Sequence, residues 1–220
     1  MKNPIIDEEQ YTNYFTNLIR GKRIPCYNIV NGLFSGDCEI KTLYQGLLQR
    51  SLYSVGELWE YNKITVATEH MATLITESLM NQMAAQLPIG EAVNKTVIIS
   101  SVEDEPHQIG GKMVADIFEL HGWNTIYLGA NTPVQELISF IREVQPNLVG
   151  LSMSVYFHID TLKRTLQSIN DNFKDLPVII GGQAFKRGGS SIIENFKNTT
   201  YLPTLDALED YIKNFLAAGT

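Results

Sequence analysis

Thr96-Val97-Ile98-Ile99-Ser100-Ser101-Val102 runs into Glu103-Asp104-Glu105-Pro106-His107 and then into Gln108-Ile109-Gly110-Gly111-Lys112-Met113-Val114-Ala115-Asp116. The opening run is short, apolar and β-branched, which predicts a buried strand. An acidic stretch with a proline breaks it, and the residues that follow take up helical spacing. The unit is therefore strand, loop, helix. It recurs downstream: further β-branched runs stand at Thr125–Leu128, Leu148–Ser154, Val178–Ile180 and Thr199–Leu202. Helical stretches fall at about 108–121, 133–144, 160–172, 186–196 and 205–217. Thr132, Pro133 and Gln135 read as a helix start, with an N-cap, a proline in the first turn and a capping-box partner.

Strand–helix alternation at this spacing predicts right-handed crossovers and a parallel sheet covered on both faces. Five such units suit a flavodoxin-like (Rossmann-like) doubly wound order. Ligands of such sheets sit beyond the carboxyl ends of the strands, at the switch point, so the loop after the first strand is the first place to look.

Upstream the periodicity is different. From Asp7 to about Leu87 it is helical throughout. Tyr11, Tyr14, Phe15 and Leu18 share one helix face, and Gly21 ends that segment. A short helix over Pro25–Phe34 is broken by Ser35-Gly36-Asp37, a third is expected over Glu39–Glu60, and a fourth from Val66 to Gln86 with Thr65 as its N-cap. Short connections between them predict a small antiparallel four-helix bundle. The expected division is a bundle over 1–88 and an α/β domain over 94–220.

Composition narrows the function classes. The 220 residues are 44% hydrophobic and 19% charged, as in a globular protein. Lys and Arg total 17 against 24 Asp and Glu, a formal charge of -7, so no basic face for direct nucleic-acid binding is expected. No apolar run suits a membrane span or a signal peptide. Cys26 and Cys38 read as two buried free thiols in a reduced, cytoplasmic setting.

The loop after the first strand lacks Gly-x-Gly-x-x-Gly, and Gly110-Gly111-Lys112 lacks the spaced glycine and hydroxyl of a P-loop. What it offers is His107 just before a helix, two residues after Glu105. Two readings stand for it. One is a surface ion pair. The other is a metal ligand: the carboxylate accepts from one imidazole nitrogen, and the second is held unprotonated for the metal. Gly110 lets the backbone approach a flat, bulky ligand. No hydrolytic or nucleophilic constellation is present, and His121 and His158 read as structural or exposed.

Glu105-x-His107-x-x-Gly110, Leu128-Gly129-Ala130-Asn131-Thr132-Pro133, Leu151-Ser152-Met153-Ser154 and Gly181-Gly182-Gln183-Ala184 lie in order on successive strand ends. Together they resemble the cobalamin-binding domain, whose pattern is Asp-x-His-x-x-Gly, then Ser-x-Leu, then Gly-Gly. The resemblance covers about residues 39–200. It implies that His107 is the lower axial ligand of cobalt. It also implies that Glu105, Ile109 and Gly110 line the cofactor, and that the nucleotide tail passes Ser152, Ser154, Gly181, Gly182 and Gln183. Glu105 stands where most members carry Asp, and Ser154 replaces the Leu. Lys186-Arg187-Gly188-Gly189 reads either as a phosphate contact or as a solvated loop.

Trp59, nine residues, then Glu69-His70 is similar to the signature of the light-sensing cobalamin regulators, usually fused to a MerR-type DNA-binding domain. Trp59 falls near the end of the third helix and Glu69-His70 in the first turns of the fourth. Both thus lie at one end of a helical hairpin, with Val66, Glu69 and His70 on one face. An indole, a carboxylate and an imidazole suit the stacking and ribose hydroxyls of an adenosyl group. The resemblance implies that the bundle caps adenosylcobalamin, with Trp59 and Val66 on the adenosyl group, Glu69 on its sugar, and His70 as an upper ligand after photolysis. Glu60 replaces the His that directly follows Trp in the characterised sensors. The expectation is a photoreceptor module, not an enzyme. With only about six residues before the first helix, its output would pass through self-association or a separate regulatory protein. The alternative is a corrinoid methyl carrier of a methyltransferase system, holding methylcobalamin. A third reading is a signalling module without a cofactor.

Overall fold

The structure is a computed structural model that describes residues 6–35, 38–188 and 195–218. The chain divides into two compact units, Met1–Leu87 and Pro88–Thr220.

The first unit is helical. Helix α1 (Glu8–Ile19) starts at a capping box, where Asp7 accepts from the Gln10 amide at 2.7 Å and Gln10 accepts from the Asp7 amide at 3.1 Å. Helix α2 (Arg23–Ser35) follows. The single helix expected over Glu39–Glu60 is instead α3 (Ile40–Leu43), a π-helical turn over Tyr44–Gln49, and α4 (Arg50–Glu60). Gly46 lies in that π turn, and a Cβ there would stand 3.2 Å from Ile6 Cδ1, so its bare backbone lets Ile6 pack. Helix α5 (Val66–Ala84) is capped by Thr65, whose hydroxyl accepts from the Thr68 amide at 3.2 Å. Tyr14, Leu18, Leu43, Leu47, Leu48, Val55, Leu79 and Met80 are buried as the bundle core. Cys26 and Cys38 are buried free thiols, and burial pushes the Cys26 thiol up to about 11.

The second unit is a parallel sheet of β1 (Thr96–Ser101), β2 (Asn124–Gly129), β3 (Leu148–Ser152), β4 (Val178–Gly181) and β5 (Thr199–Tyr201), in the order β2-β1-β3-β4-β5. This is the flavodoxin-like order expected from the sequence. The connecting helices are α6 (Ile109–Leu120), α7 (Val134–Val144), α8 (Ile159–Asn172) and α9 (Leu205–Ala218). Strand alternation divides the core. Ile98 joins Leu137, Ile138, Leu162 and Leu166 of α7 and α8, whereas Ile99 turns to the α6 side, beside Gly111.

One local expectation is corrected. Thr132 does not cap α7: Pro133 holds the N-cap position and makes no side-chain cap bond. The Thr132 hydroxyl instead accepts from Ser100 Oγ at 2.9 Å, a pairing that adjacent strand ends create. After β4 the chain makes a short 3₁₀ turn over Gln183–Arg187. The rest of the helix expected over 186–196 falls largely on 189–194, outside the described residues, as does Gly189 of the Lys186-Arg187-Gly188-Gly189 stretch.

The register places the site. Ser101 of β1 is level with Ser152 of β3, and Ser152 is level with Gly181 of β4. Three strands thus deliver their motif residues to one height at the carboxyl edge. β1 lies between β2 and β3, where the strand order reverses and an open α/β sheet has its crevice.

Candidate functional site

Glu105 is the centre of the α/β site. Its side chain is fully buried, and both of its oxygens are hydrogen-bonded. Oε1 accepts from the His107 amide at 3.1 Å and pairs with His107 Nδ1. Oε2 accepts from the Ser154 amide at 2.8 Å, from the Val155 amide at 2.9 Å, and lies 3.2 Å from His158 Nδ1. Burial by itself raises such a carboxyl. The bond from the His107 ring, with those from the Val155, His107 and Ser154 amides, outweighs it and holds Glu105 down at about 2.

That charge state assigns the imidazole tautomers. An ionised carboxylate only accepts, so Nδ1 of His107 must carry its hydrogen. In the neutral ring the lone pair then sits on Nε2, the arrangement of a metal-ligating histidine oriented by a carboxylate. The His107 side chain is about half exposed, at 49%.

The loop is fixed on both flanks. Ser101 Oγ donates to the His107 carbonyl at 3.0 Å. Asn131 accepts from the Asp104 amide at 2.9 Å and donates its own amide to the Glu105 carbonyl at 3.1 Å. Asp104 and Asn131 both take left-handed backbone, a conformation Asp and Asn tolerate better than most residues. Tyr127 donates its hydroxyl to the Gln108 carbonyl at 2.6 Å.

Beside this loop the backbone is bare. A Cβ on Gly110 would come to 3.7 Å from Ser152 Oγ, and one on Gly182, at φ 117, would press into the Met153 carbonyl. Ile109 is buried in the first turn of α6, and Ser152 is buried at the end of β3. Ser154 contributes through its amide rather than its hydroxyl. Gln183 opens the 3₁₀ turn after Gly182. An oriented imidazole, serine hydroxyls and a glycine-lined edge fit a corrinoid with a nucleotide tail. His107 would hold the cobalt, and Gly110, Ser152 and the Gly181-Gly182 pair would flank the tail.

In the helical unit, Trp59 is 48% exposed and Val66 is 51% exposed. They lie at the end of α4 and the start of α5, which the turn at 61–65 joins. Glu69 accepts from the Thr73 hydroxyl at 2.9 Å, and its other oxygen lies 3.6 Å from His70 Nε2. His70 is largely exposed. Large apolar surface thus stays in solvent beside a carboxylate and an imidazole.

Sequence reasoning did not assign Ser101, Asn131, Val155 or His158 to the site. Glu105 and His107 are two residues apart and could be read locally, whereas His158 is separated from Glu105 by 53 positions, and only the parallel sheet joins them. No helix among the described residues is long and apolar enough to cross a membrane.

Each unit of the chain matches a B12-binding family. The B12 binding domain matches residues 95–195, and a second family of the same description matches residues 11–83, so that together they take in most of the chain. Among relatives, it is 28% identical over 145 residues to the HTH-type transcriptional repressor CarH of Myxococcus xanthus, which covers 64% of this chain and 47% of that one. It is 26% identical over 107 residues to dimethylamine corrinoid protein 2 of Methanosarcina mazei, covering 48% of this chain and 50% of that one. The chain thus spans about half the length of these relatives. In fold it is similar to the monomethylamine corrinoid protein of Methanosarcina barkeri, with a TM-score of 0.78 at 13% identity over 94% of this chain and 98% of that one. It also resembles a chain of the methanol:cobalamin methyltransferase complex MtaBC of Methanosarcina barkeri, with a TM-score of 0.52 at 17% identity over 97% of this chain and 81% of that one.

Proposed function

We propose that this chain binds adenosylcobalamin, with the oriented His107 as a cobalt ligand and the α4–α5 hairpin engaging the adenosyl group, and that it serves as a light-responsive sensor rather than as an enzyme. The carrying observation is the exposed Trp59 and Val66 beside Glu69 and His70. A bundle gains nothing in its own stability by leaving an indole half in water, whereas an adenine ring gains a stacking surface. In this reading Trp59 and Val66 would cover the adenosyl group, Glu69 would take its sugar hydroxyls, and His70 would be available as a cobalt ligand in the absence of that group. When bound, the cofactor supplies a cobalt–carbon bond that light breaks. Trp59 then loses its stacking partner, and the hairpin relaxes to a second arrangement that a partner protein or a second copy of the chain reads. The relative named as a transcriptional repressor supports a regulatory role.

A second reading has its own support. Three of the relatives carry the name dimethylamine corrinoid protein, and the α/β site suits a methyl-carrying corrinoid equally well. Glu60 also stands where the light sensors place a His, which removes one of their upper ligands.

The decisive experiment loads the chain with adenosylcobalamin in the dark and illuminates it. A spectral change under modest blue or green light, faster than that of the free cofactor and accompanied by a change in mass or partner binding, is expected. Photolysis at the rate of free cofactor, together with preferential uptake of methylcobalamin and its demethylation by a methyltransferase, would replace the sensor with the carrier.

A further inference from the structure

The basic residues of the helical unit are unevenly spread. Arg20, Lys22 and Arg23 crowd the turn that joins α1 to α2, in a chain whose formal charge is -7. All three are exposed, and none has a carboxylate within ion-pair reach among the described residues. Like charges without a counter-charge repel one another, so the fold gains nothing by holding them together.

Apolar surface lies beside them. Outside the α4–α5 turn, the large hydrophobic side chains that this unit exposes, among the described residues, are Ile24 at 68%, Tyr27 at 40% and Leu74 at 64%. Ile24 and Tyr27 are three apart on α2 and share a face. Helix α2 packs against α5, and Gly21 of the basic turn lies so close to α5 that a Cβ on it would stand 2.5 Å from the Met71 sulfur. Leu74 is one helical turn beyond Met71. A shallow groove of about 550 Å³ continues along α5 from Leu74 past Ser78 and Asn81 to Ala85, with Glu77 on its wall. An apolar centre with charge at its rim is the make-up of a protein interface. The turn carries charge of one sign, so a complementary partner is acidic there. The furrow beside two packed helices suits a third helix, whose apolar row lies in it. Nucleic acid fits worse, because duplex binding draws on roughly six to ten phosphate contacts, and three cations beside exposed apolar side chains do not supply them.

We propose that the outer face of α2 and α5, with the basic turn at its end, is a docking site for an acidic amphipathic helix of another protein. The apolar side chains of that helix would rest on Ile24, Tyr27 and Leu74, and its carboxylates would meet Arg20, Lys22 and Arg23. The site needs neither cobalamin nor light, so it stands whether the chain is a sensor or a carrier. His70 and Leu74 are four residues apart on α5, so the docked helix borders His70 of the proposed adenosyl patch.

The test selects a random library of helical peptides against the full chain and then measures binding of a synthetic copy of the enriched sequence. Enriched peptides are expected to carry Asp and Glu beside an apolar row spaced by three and four. Their affinity is expected to fall about tenfold or more in Ile24→Ser and in Leu74→Ser, and likewise when Arg20→Gln, Lys22→Gln and Arg23→Gln are combined. These side chains are exposed, so circular dichroism and the bound-cobalamin spectrum of each variant should match wild type. Peptide binding that ignores both serine variants overturns the proposal, since the attraction is then charge alone. Enrichment of neutral or basic peptides, or no enrichment, overturns it too. Self-association of the chain that either serine variant abolishes would make the occupant a second copy and overturn it. A DNA duplex that binds more tightly than the peptide, and is lost in the combined glutamine variant, would replace the protein partner with nucleic acid.

Discussion

Two carboxylates, one in each unit, are held in opposite ways. Glu105 of the α/β unit is fully buried, with three amides and two imidazoles around its two oxygens. Glu69 of the helical unit is part-exposed, accepts from Thr73 on its own helix and stands beside the exposed His70. The first arrangement is settled by the fold before any ligand arrives. The second leaves side chains in water, where they are able to rearrange. A lower ligand has to be aimed, so preorganisation serves it. A cap that responds to loss of an adenosyl group has to change partners, so loose attachment serves it.

This contrast breaks most readily at Glu105. Glu105→Ala strips the acceptor from five donors in a buried place, and the loss expected from a broken buried charge network is about 3–5 kcal/mol. Chemical denaturation of the variant checks this. Its acid dependence has a definite sign. Glu105 is held down at about 2 from an ordinary value near 4.5, so its contribution is fully present above 4.5 and is lost as pH falls toward 2. A carboxyl held down this far contributes about 3 kcal/mol. The stability gap between wild type and Glu105→Gln should therefore narrow between pH 5 and pH 3. A gap that stays constant over that range would show that hydrogen bonding to Glu105 does not depend on its charge.

Gly182 tests the glycine-lined edge. Its φ of 117 and the Met153 carbonyl beside it leave no place for a methyl group. Gly182→Ala is expected to cost about 2–3 kcal/mol of stability and to weaken cobalamin uptake with it. Retained stability with lost uptake would mean that the new methyl points into the tail path instead of the protein.

Trp59→Ala is the matching test in the bundle, and its signature is reversed. Folding should barely change, since the indole is half exposed and surface replacements shift stability by about 0.5 kcal/mol or less. Retention of adenosylcobalamin should fall by the equivalent of about 1–3 kcal/mol, the range for a base stacked on an aromatic ring. Methylcobalamin, which offers nothing to stack, should bind as before. Equal losses for both cofactors would make Trp59 a general corrin contact and favour the methyl-carrier reading.

The same contrast explains what the sequence disclosed. Strand runs such as Thr96–Val102, the Glu105–His107 spacing and the Thr65 cap are local patterns, and each depends on neighbours within a few residues. The strand order followed from them through the handedness of crossovers. What escaped is non-local. Thr132 looks like a cap until Ser100, which is 32 positions away, takes its hydroxyl. The π turn at Tyr44–Gln49 has no signal of its own, because Gly46 is explained only by Ile6 packing on it. His158 has no motif spacing to Glu105, and Ser101 reads as one more strand residue until its hydroxyl meets the His107 carbonyl. The exposed patch was legible for the opposite reason. Trp59 and Glu69-His70 lie on two helices joined by a short turn, so spacing along the chain nearly determines their placement.

The smallest expected effect is at the helix start that carries the patch. Thr65 accepts from the Thr68 amide, and its hydroxyl also lies 3.1 Å from that of Thr68. Thr65→Ala removes the cap and should cost about 1 kcal/mol, mostly by fraying the first turn of α5. Val66, Glu69 and His70 all lie in that turn or just after it. Amide hydrogen exchange should therefore quicken at 66–70 while the Glu105 loop keeps its protection. Adenosylcobalamin in the dark should restore protection to 66–70 if the patch grips the adenosyl group. Methylcobalamin should not. Restoration by both, or by neither, would remove the adenosyl-specific role from this turn and leave Thr65 as an ordinary cap.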